Sequence, residues 1–337
     1  MASFRDSRPV VVSQPSSKPH ERAQVLIYAC SMPPFLRRRC QSMLAAQWTH
    51  RIPLLQQVSP AEIAANLVIE ALEKMEMEDS SKLTVVDFCS GGGGPTPVIE
   101  KLVNAKRAKR GRKAISFVLT DLHPHLDEWM VASARSPHLS FIPQPVDATN
   151  PPASAMNATS NTSNPSSDFS SPSRVFRLYC LSFHHFDDKL AQKTMASTLD
   201  TSDGFAIIEL QDRHVSSLLL MCAELILVYI ITALWFSHDL LHLMFTYTIP
   251  ILPPIHSFDG FVSCLRTRTF DEIIQVIDTA MSTIPSPSTC PPRWTTDKNM
   301  RRYAERGPWL FEGGRAIHTF PLGHCNWIVG RRRIRPQ

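Results

Sequence analysis

The sequence predicts an α/β fold with a mostly parallel, doubly wound sheet, and three observations support this class. Short apolar runs rich in β-branched residues alternate with longer helical segments, which is the pattern of βαβ units. Four consecutive glycines, Gly91 to Gly94, stand between the first apolar run and the helix that follows it. Asp121 and Asp147 directly follow two of the later runs. Strand ends of this kind line up at one edge of a parallel sheet.

Composition is that of a folded protein with no strong charge bias. The chain has 337 residues, of which 43% are hydrophobic and 19% charged, enough for one large domain or two small ones. The net charge of +5 is too small to indicate nucleic acid as a partner. The eight cysteines form no C-x-x-C pair and no metal-like spacing, so we expect a reducing compartment and no metal site. No apolar signal segment opens the chain.

The N-terminal region precedes the α/β core. Residues 1–25 are polar and rich in proline and serine, and are predicted to be disordered. Residues 26–82 form a predicted helical extension, whose first helix runs from Phe35 to Trp48. A second helix begins at Ser59, which is the N-cap; Pro60 takes the first helical position and Glu62 stands three residues after the serine.

The core, residues 83–213, contains five predicted strands and three helices. The strands are predicted from short apolar runs and the helices from the segments between them. In chain order the elements are strand Leu83–Phe88, helix Pro95–Lys109, strand Ser116–Thr120, helix Leu126–Ala134, strand Leu139–Val146, strand Val175–Leu181, helix Leu190–Leu199 and strand Phe205–Leu210. Residues 150–173 are a low-complexity stretch of Ser, Asn and Pro, which predicts a disordered surface insertion.

A strongly apolar segment, residues 214–256, follows the fifth strand. Val215 to Phe236 has one charged residue, Glu224, and is long enough to cross a bilayer, whereas prolines interrupt the second run, Leu240 to Ile255. Because the chain on both sides builds one sheet, a single crossing is excluded. A membrane hairpin, a segment lying in the membrane interface and a buried helical subdomain all remain compatible with this pattern. The flanking Arg213, Arg266 and Arg268 favour a cytoplasmic position for both ends.

Residues 257–337 complete the core. Phe270 to Ala280 is a predicted helix with acidic residues in its first turn, which favours the helix dipole. Two late strands are predicted at Trp309–Phe311 and Asn326–Gly330.

The order strand, Asp87, glycine-rich turn, helix is typical of a site for a nucleotide-like ligand. The dinucleotide pattern G-x-G-x-x-G fits poorly, because Thr96 or Pro97 stands where its third glycine belongs. The pattern acidic-x-G-x-G-x-G fits better. Asp87 takes its acidic place and Gly91 and Gly93 its second and third glycine places, while Cys89 stands in the place of the first glycine.

Four motifs in order carry a resemblance: VVDFCSGGGG, TDLHP, PVDA and LSFHHFDD. Over residues 83–211, and more weakly at the C-terminus, the chain resembles the class I S-adenosylmethionine-dependent methyltransferases. The resemblance implies a Rossmann-like sheet of seven strands with the last antiparallel, and S-adenosyl-L-methionine as cofactor. After the fifth strand, where the family often places substrate-recognition elements, this chain has the apolar segment, which is predicted to be a helical hairpin. The family's N/D-P-P-Y/F motif is missing after the fourth strand, which disfavours methylation of DNA bases or protein glutamine.

The resemblance also implies a set of cofactor-binding residues. In the family the acidic residue after the second strand holds the ribose hydroxyls, here Asp121, and the one after the third strand meets the adenine amine, here Asp147. A single aspartate at a strand end is otherwise a turn or helix cap. The implied cofactor-binding residues are Asp87, Cys89, Ser90, Gly91, Gly92, Gly93, Asp121, Leu122, Asp147, Ala148, Ser182 and Phe183.

The catalytic candidates are His184 and His185. Since histidine titrates near neutral pH, either one is able to take a proton from a substrate hydroxyl. The alternative is that the pair only shapes the pocket, because methyl transfer from a sulfonium depends mainly on alignment.

Three functions follow from these patterns. The first is a methyltransferase that acts on a small, apolar or lipid-like acceptor at a membrane surface, with its core facing the cytoplasm. The second is a Rossmann-type oxidoreductase that binds NAD(P). The third is a catalytically silent membrane scaffold that retains the fold. No nucleic acid partner is expected.

Overall fold

The computed structural model describes residues 32–78, 83–153, 174–282, 293–296 and 300–333. The predicted disordered N-terminus lies outside the described residues, as does nearly all of the insertion predicted at 150–173. The strands and helices of the first half are α1 Pro34–Thr49, α2 Pro60–Glu78, β1 Leu83–Phe88, α3 Thr96–Lys109, β2 Ser116–Thr120, α4 Leu126–Ser133, β3 Leu139–Phe141 and β4 Arg174–Cys180. Most predicted elements of this region are present, although β3 ends well before Val146.

The second half of the chain contains the apolar segment 214–256, for which the sequence allows three different arrangements. A short 3₁₀ turn, Phe183–His185, follows β4. The elements after it are α5 Asp188–Thr201, β5 Gly204–Glu209, α6 Val215–Trp235, α7 Leu240–Leu243, a π-helical turn Met244–Thr248, α8 Leu252–Arg266, α9 Phe270–Ser282, β6 Arg293–Thr296, β7 Arg302–Arg306, β8 Trp309–Thr319 and β9 Gly323–Arg332.

The strands form one sheet in the order β3-β2-β1-β4-β5-β9-β8-β7-β6. Strands β1 to β5 are parallel, and β9 pairs antiparallel with β5, with Gly204 opposite Arg331. The predicted fold class is confirmed. The expected count of seven strands is wrong, because the described residues contain nine and the four at the C-terminal edge are all antiparallel. The extra strands, β6 and β7, are short and have no apolar run: arginine and threonine interrupt β6, and arginine and glutamate interrupt β7, so neither shows a strand pattern in the sequence.

Helices cover both faces of the sheet, each over its own apolar core. On one face α2 and α3 pack on residues such as Val85, Phe117 and Leu178. On the other, α5 and α9 pack on residues such as Val86 and Phe205. Since side chains alternate along a strand, Val85 and Val86 enter opposite layers. The molecule is therefore a three-layer sandwich, as expected for a doubly wound sheet.

The apolar segment after β5 folds against the carboxyl end of this sheet. Helix α6 packs along α8, and α8 also contacts the 3₁₀ turn after β4. The second predicted run is not one helix: it breaks at Ile249–Ile251, and Pro253 lies in the first turn of α8, where its missing N–H is tolerated. The second arm of the pair is thus α8, which continues past the predicted boundary at residue 256 to Arg266.

Helix α6 has two different faces. One packs into the protein and contains Leu220, Glu224, Val228 and Ile231. The other carries exposed apolar residues, among them Leu219, Ile226 and Ile230. Within the described residues α6 is the one helix whose length and hydropathy would allow it to cross a membrane, and 33% of its most apolar window is buried.

Candidate functional site

The tetraglycine turn is held in place by bonds between two neighbouring strand ends. The backbone N–H of Ser90 donates to the Thr120 carbonyl at 3.0 Å, and the Thr120 N–H donates back to Oγ of Ser90 at 3.2 Å. Gly91 and Gly93 have φ values of 51° and 98°, which suit glycine. A Cβ on Gly91 would meet no atom within 4 Å, so the turn borders open space on that side.

Asp121 fixes this turn from the end of β2. One carboxylate oxygen accepts the Gly91 N–H and the other accepts the His123 N–H, both at 2.8 Å. The buried indole of Trp129 donates to the Gly91 carbonyl at 2.8 Å and holds the opposite side of the turn. A carboxylate has about four lone-pair positions, so two bonds leave capacity for further donors such as ribose hydroxyls.

Asp87 lies under the turn and is only 2% exposed. Its Oδ2 accepts from the Thr96 hydroxyl at the start of α3 at 2.8 Å, while Oδ1 is buried without a hydrogen-bond partner. Burial raises the pKa of Asp87 to about 7. This aspartate therefore braces the glycine turn against α3 and holds one unsatisfied oxygen, instead of lying open to solvent.

Cys89 takes the left-handed backbone that its place in the glycine pattern implies. Its φ is 60°, a region that only glycine adopts without cost. Its side chain packs against the core under α5 and α9, and burial raises the pKa of the thiol well above its usual value. The cysteine is thus a strained packing residue, unsuited to act as a thiolate.

Asp147 and Ala148 lie in the turn after β3, where Asp147 is exposed and Ala148 is buried. Oδ1 of Asp147 accepts from both the N–H and the hydroxyl of Thr149 at 2.8 Å, which makes this residue a turn cap as well as a cofactor candidate. The buried guanidinium of Arg177 donates to the Ala148 carbonyl at 3.2 Å and ties this turn to β4. Leu122, the candidate beside Asp121, is 52% exposed, and Gly92 is exposed too.

Ser182 and Phe183 follow the end of β4, and both are buried. Oγ of Ser182 is buried and has no hydrogen-bond partner among the described residues. Phe183 is 1% exposed and packs edge-on against Tyr179 and Phe186 in the core. A role for Phe183 in cofactor contact stays a prediction, and the structure adds that the ring anchors the turn.

His184 and Glu209 form a buried pair that links the ends of β4 and β5. Nδ1 of His184 lies 2.8 Å from Oε2 of Glu209, and the His184 backbone N–H donates to Oε1 at 3.1 Å. Both side chains are nearly inaccessible to solvent. The tautomer in which Nδ1–H donates to the carboxylate leaves Nε2 as an acceptor. The pair with Glu209 thus fixes the orientation of the His184 ring.

His185 and two arginines complete this turn. The rings of His184 and His185 lie 4.1 Å apart between centroids, and burial holds the pKa of His185 well below its usual range. Arg266 donates to the carbonyls of His184 and His185 at 2.9 and 3.0 Å, and Arg268 donates to that of Phe186 at 2.9 Å. Arg266 and Arg268, whose charge favoured a cytoplasmic position in the sequence, therefore hold the backbone of the histidine turn through hydrogen bonds.

A cavity of about 110 Å³ opens beside the histidine turn, roofed by α6 and α8 and walled by α1. His184, His185, Leu181 and Leu210 line the end nearest the sheet. Apolar residues of α1 and α6 form much of the remaining wall, namely Leu44, Leu220, Met221, Leu227 and Ile231. The cavity thus extends from the His184 ring into an apolar chamber.

S-adenosylmethionine fits the residues of the strand ends. The buried Oδ1 of Asp87 and Oγ of Ser182 have no partners, and the space above Gly91 is open. Carboxylates at Asp87, Asp121 and Asp147 suit a ligand with ribose hydroxyls, an amine and a sulfonium charge. Among the residues that the structure describes, no group of three His, Cys, Asp or Glu side chains forms a metal site.

Comparisons with known proteins give distant likenesses. No family model matches the chain, and no curated protein matches it significantly. Among solved structures, 84 chains match. The plantazolicin methyltransferase BpumL in complex with a triazolic desmethylPZN analog and SAH is 10% identical, with a TM-score of 0.44 and coverage of 88% of this chain and 91% of that one.

Two further solved structures show the same level of likeness. The magnesium protoporphyrin IX methyltransferase ChlM from Synechocystis PCC 6803 with bound SAH is 8% identical, with a TM-score of 0.39 and 91% of each chain covered. LepI in complex with SAM is 12% identical, with a TM-score of 0.36, and the likeness covers 75% of this chain and 44% of LepI. This chain therefore spans less than half of LepI.

Sequence reasoning missed several residues of the site. Glu209 lies inside the predicted strand Phe205–Leu210, and nothing in the sequence indicated that it would meet His184, which lies 25 residues earlier. Gln211 and the cavity residues of α8 were likewise unmarked, because a cavity between distant segments has no sequence periodicity. Glu224 did carry a signal, as the single charge within an apolar run.

Proposed function

We propose that this protein is an S-adenosylmethionine-dependent methyltransferase whose acceptor enters the cavity under α6 and α8. The observation that carries the proposal is one continuous arrangement at the carboxyl end of the sheet. There the Asp121-braced glycine turn, the Ser182 hydroxyl and the His184–Glu209 pair follow three neighbouring strands, β2, β1 and β4, with β5 supplying the glutamate. Ligands of open α/β sheets bind at this edge.

The cofactor-binding residues proposed are those of the glycine turn together with Asp121, Leu122, Asp147, Ala148, Ser182 and Phe183. Bound S-adenosylmethionine would supply a methyl group on a positively charged sulfur, which leaves readily as a neutral thioether. Asp121 would accept hydrogen bonds from the ribose hydroxyls, and Asp147 would accept one from the adenine amine. Both assignments use carboxylate oxygens that lie on the exposed side of their loops, where their own turns use only part of their capacity.

His184 is the proposed general base. Its Nε2 would take the proton of an acceptor hydroxyl while the acceptor oxygen forms its bond to the methyl carbon. Glu209 would hold the ring in the required tautomer and stabilise the imidazolium, since its Oε2 accepts from Nδ1 at 2.8 Å. His185 is assigned to shaping the cavity, because burial keeps its ring neutral.

Measured cofactor binding tests this proposal. We expect calorimetry to detect S-adenosylmethionine binding to the full chain, and Asp121→Asn to weaken it at least about tenfold through loss of a charged acceptor. Asp200→Asn, an exposed carboxylate on α5, is the matched control and should leave binding unchanged. Binding of NAD(P)H without S-adenosylmethionine binding would favour an oxidoreductase and contradict the proposal.

We further propose that the protein acts at a membrane surface, with the exposed face of α6 in contact with lipid. Exposed apolar residues recur along that face, and α8 adds exposed Phe258 and Phe261. An in-plane position is favoured over a crossing, since the other face of α6 packs inside the protein and buries Glu224. The core would face the cytoplasm, and a lipid-like acceptor would have a short path to the cavity.

Vesicle flotation tests the membrane proposal. The wild type should float with phosphatidylcholine vesicles, and the double variant Ile226→Ser/Ile230→Ser should bind at least about tenfold more weakly, because each isoleucine contributes apolar burial. Met130→Ser/Val131→Ser removes two equally exposed apolar residues from α4 and should have no effect. A wild type that stays with the soluble fraction would contradict this proposal and leave the methyltransferase proposal unaffected.

A further inference from the structure

The far end of the cavity under α6 and α8 carries two acidic side chains. Glu224 of α6 and Asp259 of α8 line it, and each is 8% exposed. Among the described residues that line this cavity, none is a lysine or an arginine. The chamber is therefore apolar over most of its wall and acidic at one place.

Glu224 is bonded on one side only. Its Oε1 accepts from Nε2 of Gln47 on α1 at 2.6 Å, and within the described residues Oε2 has no hydrogen-bond partner. A Cβ placed on Gly260 would clash with Sδ of Met221 and lie 3.3 Å from this Oε2, so glycine at residue 260 lets α8 pack closely on α6. Glu224 itself lines the cavity, which is where its Oε2 is able to meet a ligand.

Two more polar side chains in the same cavity lack partners. Nε2 of His256 and Nε2 of Gln211 are buried with no hydrogen-bond partner among the described residues, and the two residues are 4% and 5% exposed. Burying a polar atom without a partner costs free energy, so such atoms in a cavity wall indicate a bound molecule that satisfies them. These orphaned atoms point to a ligand independently of the carboxylates.

The charge at this end selects among ligands. Burial raises the pKa of Glu224 to about 7, with Asp259 nearby raising it further and Gln47 lowering it. The Glu224 carboxylate in a low-dielectric wall repels an anion and favours a cation, which would also offset the cost of burying its charge. A neutral ligand would leave that cost in place.

We propose that the cavity binds the methyl acceptor through a protonated amine, held by Glu224, with the hydrocarbon part of the acceptor against the walls of α1 and α6. This inference rests on the proposed function only in taking the ligand to be the acceptor. Gln211 would bind an oxygen of the same molecule. The acceptor class is thus an apolar amine with a hydroxyl or similar group that reaches His184.

A matched set of probes tests the amine: n-hexylamine, n-hexanol and n-hexanoate. Calorimetry would be run at about pH 8, where the Glu224 carboxylate is ionised, with the full chain saturated with S-adenosylhomocysteine. We expect hexylamine to bind at least about tenfold more tightly than hexanol, and hexanoate most weakly, as a charged hydrogen bond implies. In Glu224→Gln the preference for the amine should fall at least about tenfold while hexanol binding stays within about twofold.

Two controls separate this inference from the proposed function. Glu73→Gln, a surface carboxylate that pairs with Arg110, should keep the amine preference. Glu224→Gln should keep its affinity for S-adenosylmethionine. Equal binding of amine and alcohol, survival of the preference in Glu224→Gln, or no hexylamine binding up to about 10 mM would overturn the inference even if the cofactor binds. An amine preference in a chain that binds no S-adenosylmethionine would instead overturn the methyltransferase.

Discussion

At the scale of single residues, two strand ends that border the site hold side chains in the left-handed backbone region. Cys89 follows β1 with φ 60°, and Leu181 follows β4 with φ 51°. Non-glycine residues pay about 1–2 kcal/mol for this conformation, and such strain is concentrated at functional sites. At Cys89 the sequence already indicated the anomaly, since a glycine is expected there.

The strain at Cys89 gives a prediction about stability. Cys89→Gly should change the free energy of unfolding by less than about 1 kcal/mol, because relief of strain offsets the lost burial of the thiol. Cys89→Val should destabilise the protein by about 2 kcal/mol, since a β-branched side chain is worse at positive φ. Urea denaturation measures both. Equal destabilisation by glycine and valine would show that packing of the thiol dominates.

His318 gives a prediction about pH. Its Nε2 lies 2.9 Å from the Leu210 carbonyl and its Nδ1 lies 2.8 Å from the Thr319 hydroxyl, which itself accepts from Gln56. Burial lowers the pKa of His318 from 6.5 to about 4. Because the folded pKa is depressed, its contribution to stability is fully present above pH 6.5 and is lost as the pH falls toward 4.

The expected result is a smaller gap between wild type and His318→Gln in acid. Between pH 6.5 and about pH 5 the difference in their free energies of unfolding should shrink by on the order of 1–2 kcal/mol. Chemical denaturation at several pH values measures it, and the difference between the two proteins cancels other titrating groups such as His256. A gap independent of pH would mean that His318 is not held neutral.

At the scale of secondary-structure elements, Arg177 of β4 contacts three others: β1, the turn after β3, and α5. This buried arginine of β4 donates to the Ala148 carbonyl after β3 and to Thr198 of α5, and its guanidinium lies 4.6 Å above the Phe88 ring of β1. The adenine-side turn proposed at Asp147 and Ala148 therefore depends on a residue deep in the sheet.

Replacing Arg177 should affect both stability and cofactor binding. Arg177→Met keeps the length of the side chain and removes its donors, which should cost about 3 kcal/mol of unfolding free energy and weaken S-adenosylmethionine binding. Arg110→Met breaks a half-exposed ion pair with Glu73 and should cost under about 1 kcal/mol. Thermal unfolding and calorimetry measure these effects. Unchanged cofactor affinity in Arg177→Met would separate the adenine-side turn from this arginine.

How well the sequence predicted each element depends on burial. Strands β1, β2, β4 and β5 are buried runs with a strong apolar signal, and their predicted bounds differ from the observed ones by at most one residue at each end. Strands β6 and β7 lie at one edge of the sheet and contain many polar side chains, so no apolar run in the sequence predicted them. The apolar pattern of residues 215–255 fits a membrane span, an interface helix and a core helix equally well, so only tertiary packing assigns a buried face to α6.

The candidate site divides in a similar way. Its proposed cofactor side consists of short motifs at strand ends, which are recognisable in the sequence because neighbouring residues determine their geometry; cofactor binding by these residues stays a prediction. Its acceptor side is built by α1, α6, α8 and the end of β8, which meet only in three dimensions. Residues such as Glu209 and His256 therefore had no recognisable signal before the structure.

At the scale of the whole molecule, cofactor binding should raise stability by mass action. S-adenosylhomocysteine at 100 times its dissociation constant should add about 2.7 kcal/mol to the unfolding free energy and raise the melting temperature by about 2–4 °C. Asp121→Asn at the same ligand concentration should show a smaller shift. Differential scanning calorimetry measures both. A wild-type melting temperature unaffected by ligand at this concentration would contradict specific binding to the folded state.

The cavity wall joins parts of the chain that are made at different times. Gln47 on α1 reaches Glu224 on α6, 177 residues later, and Leu36 and Cys40 pack with Leu252. During synthesis α1 is therefore without this partner until most of the chain has left the ribosome. A truncated chain that ends before α6 would therefore hold every strand of the parallel sheet and none of the chamber's roof.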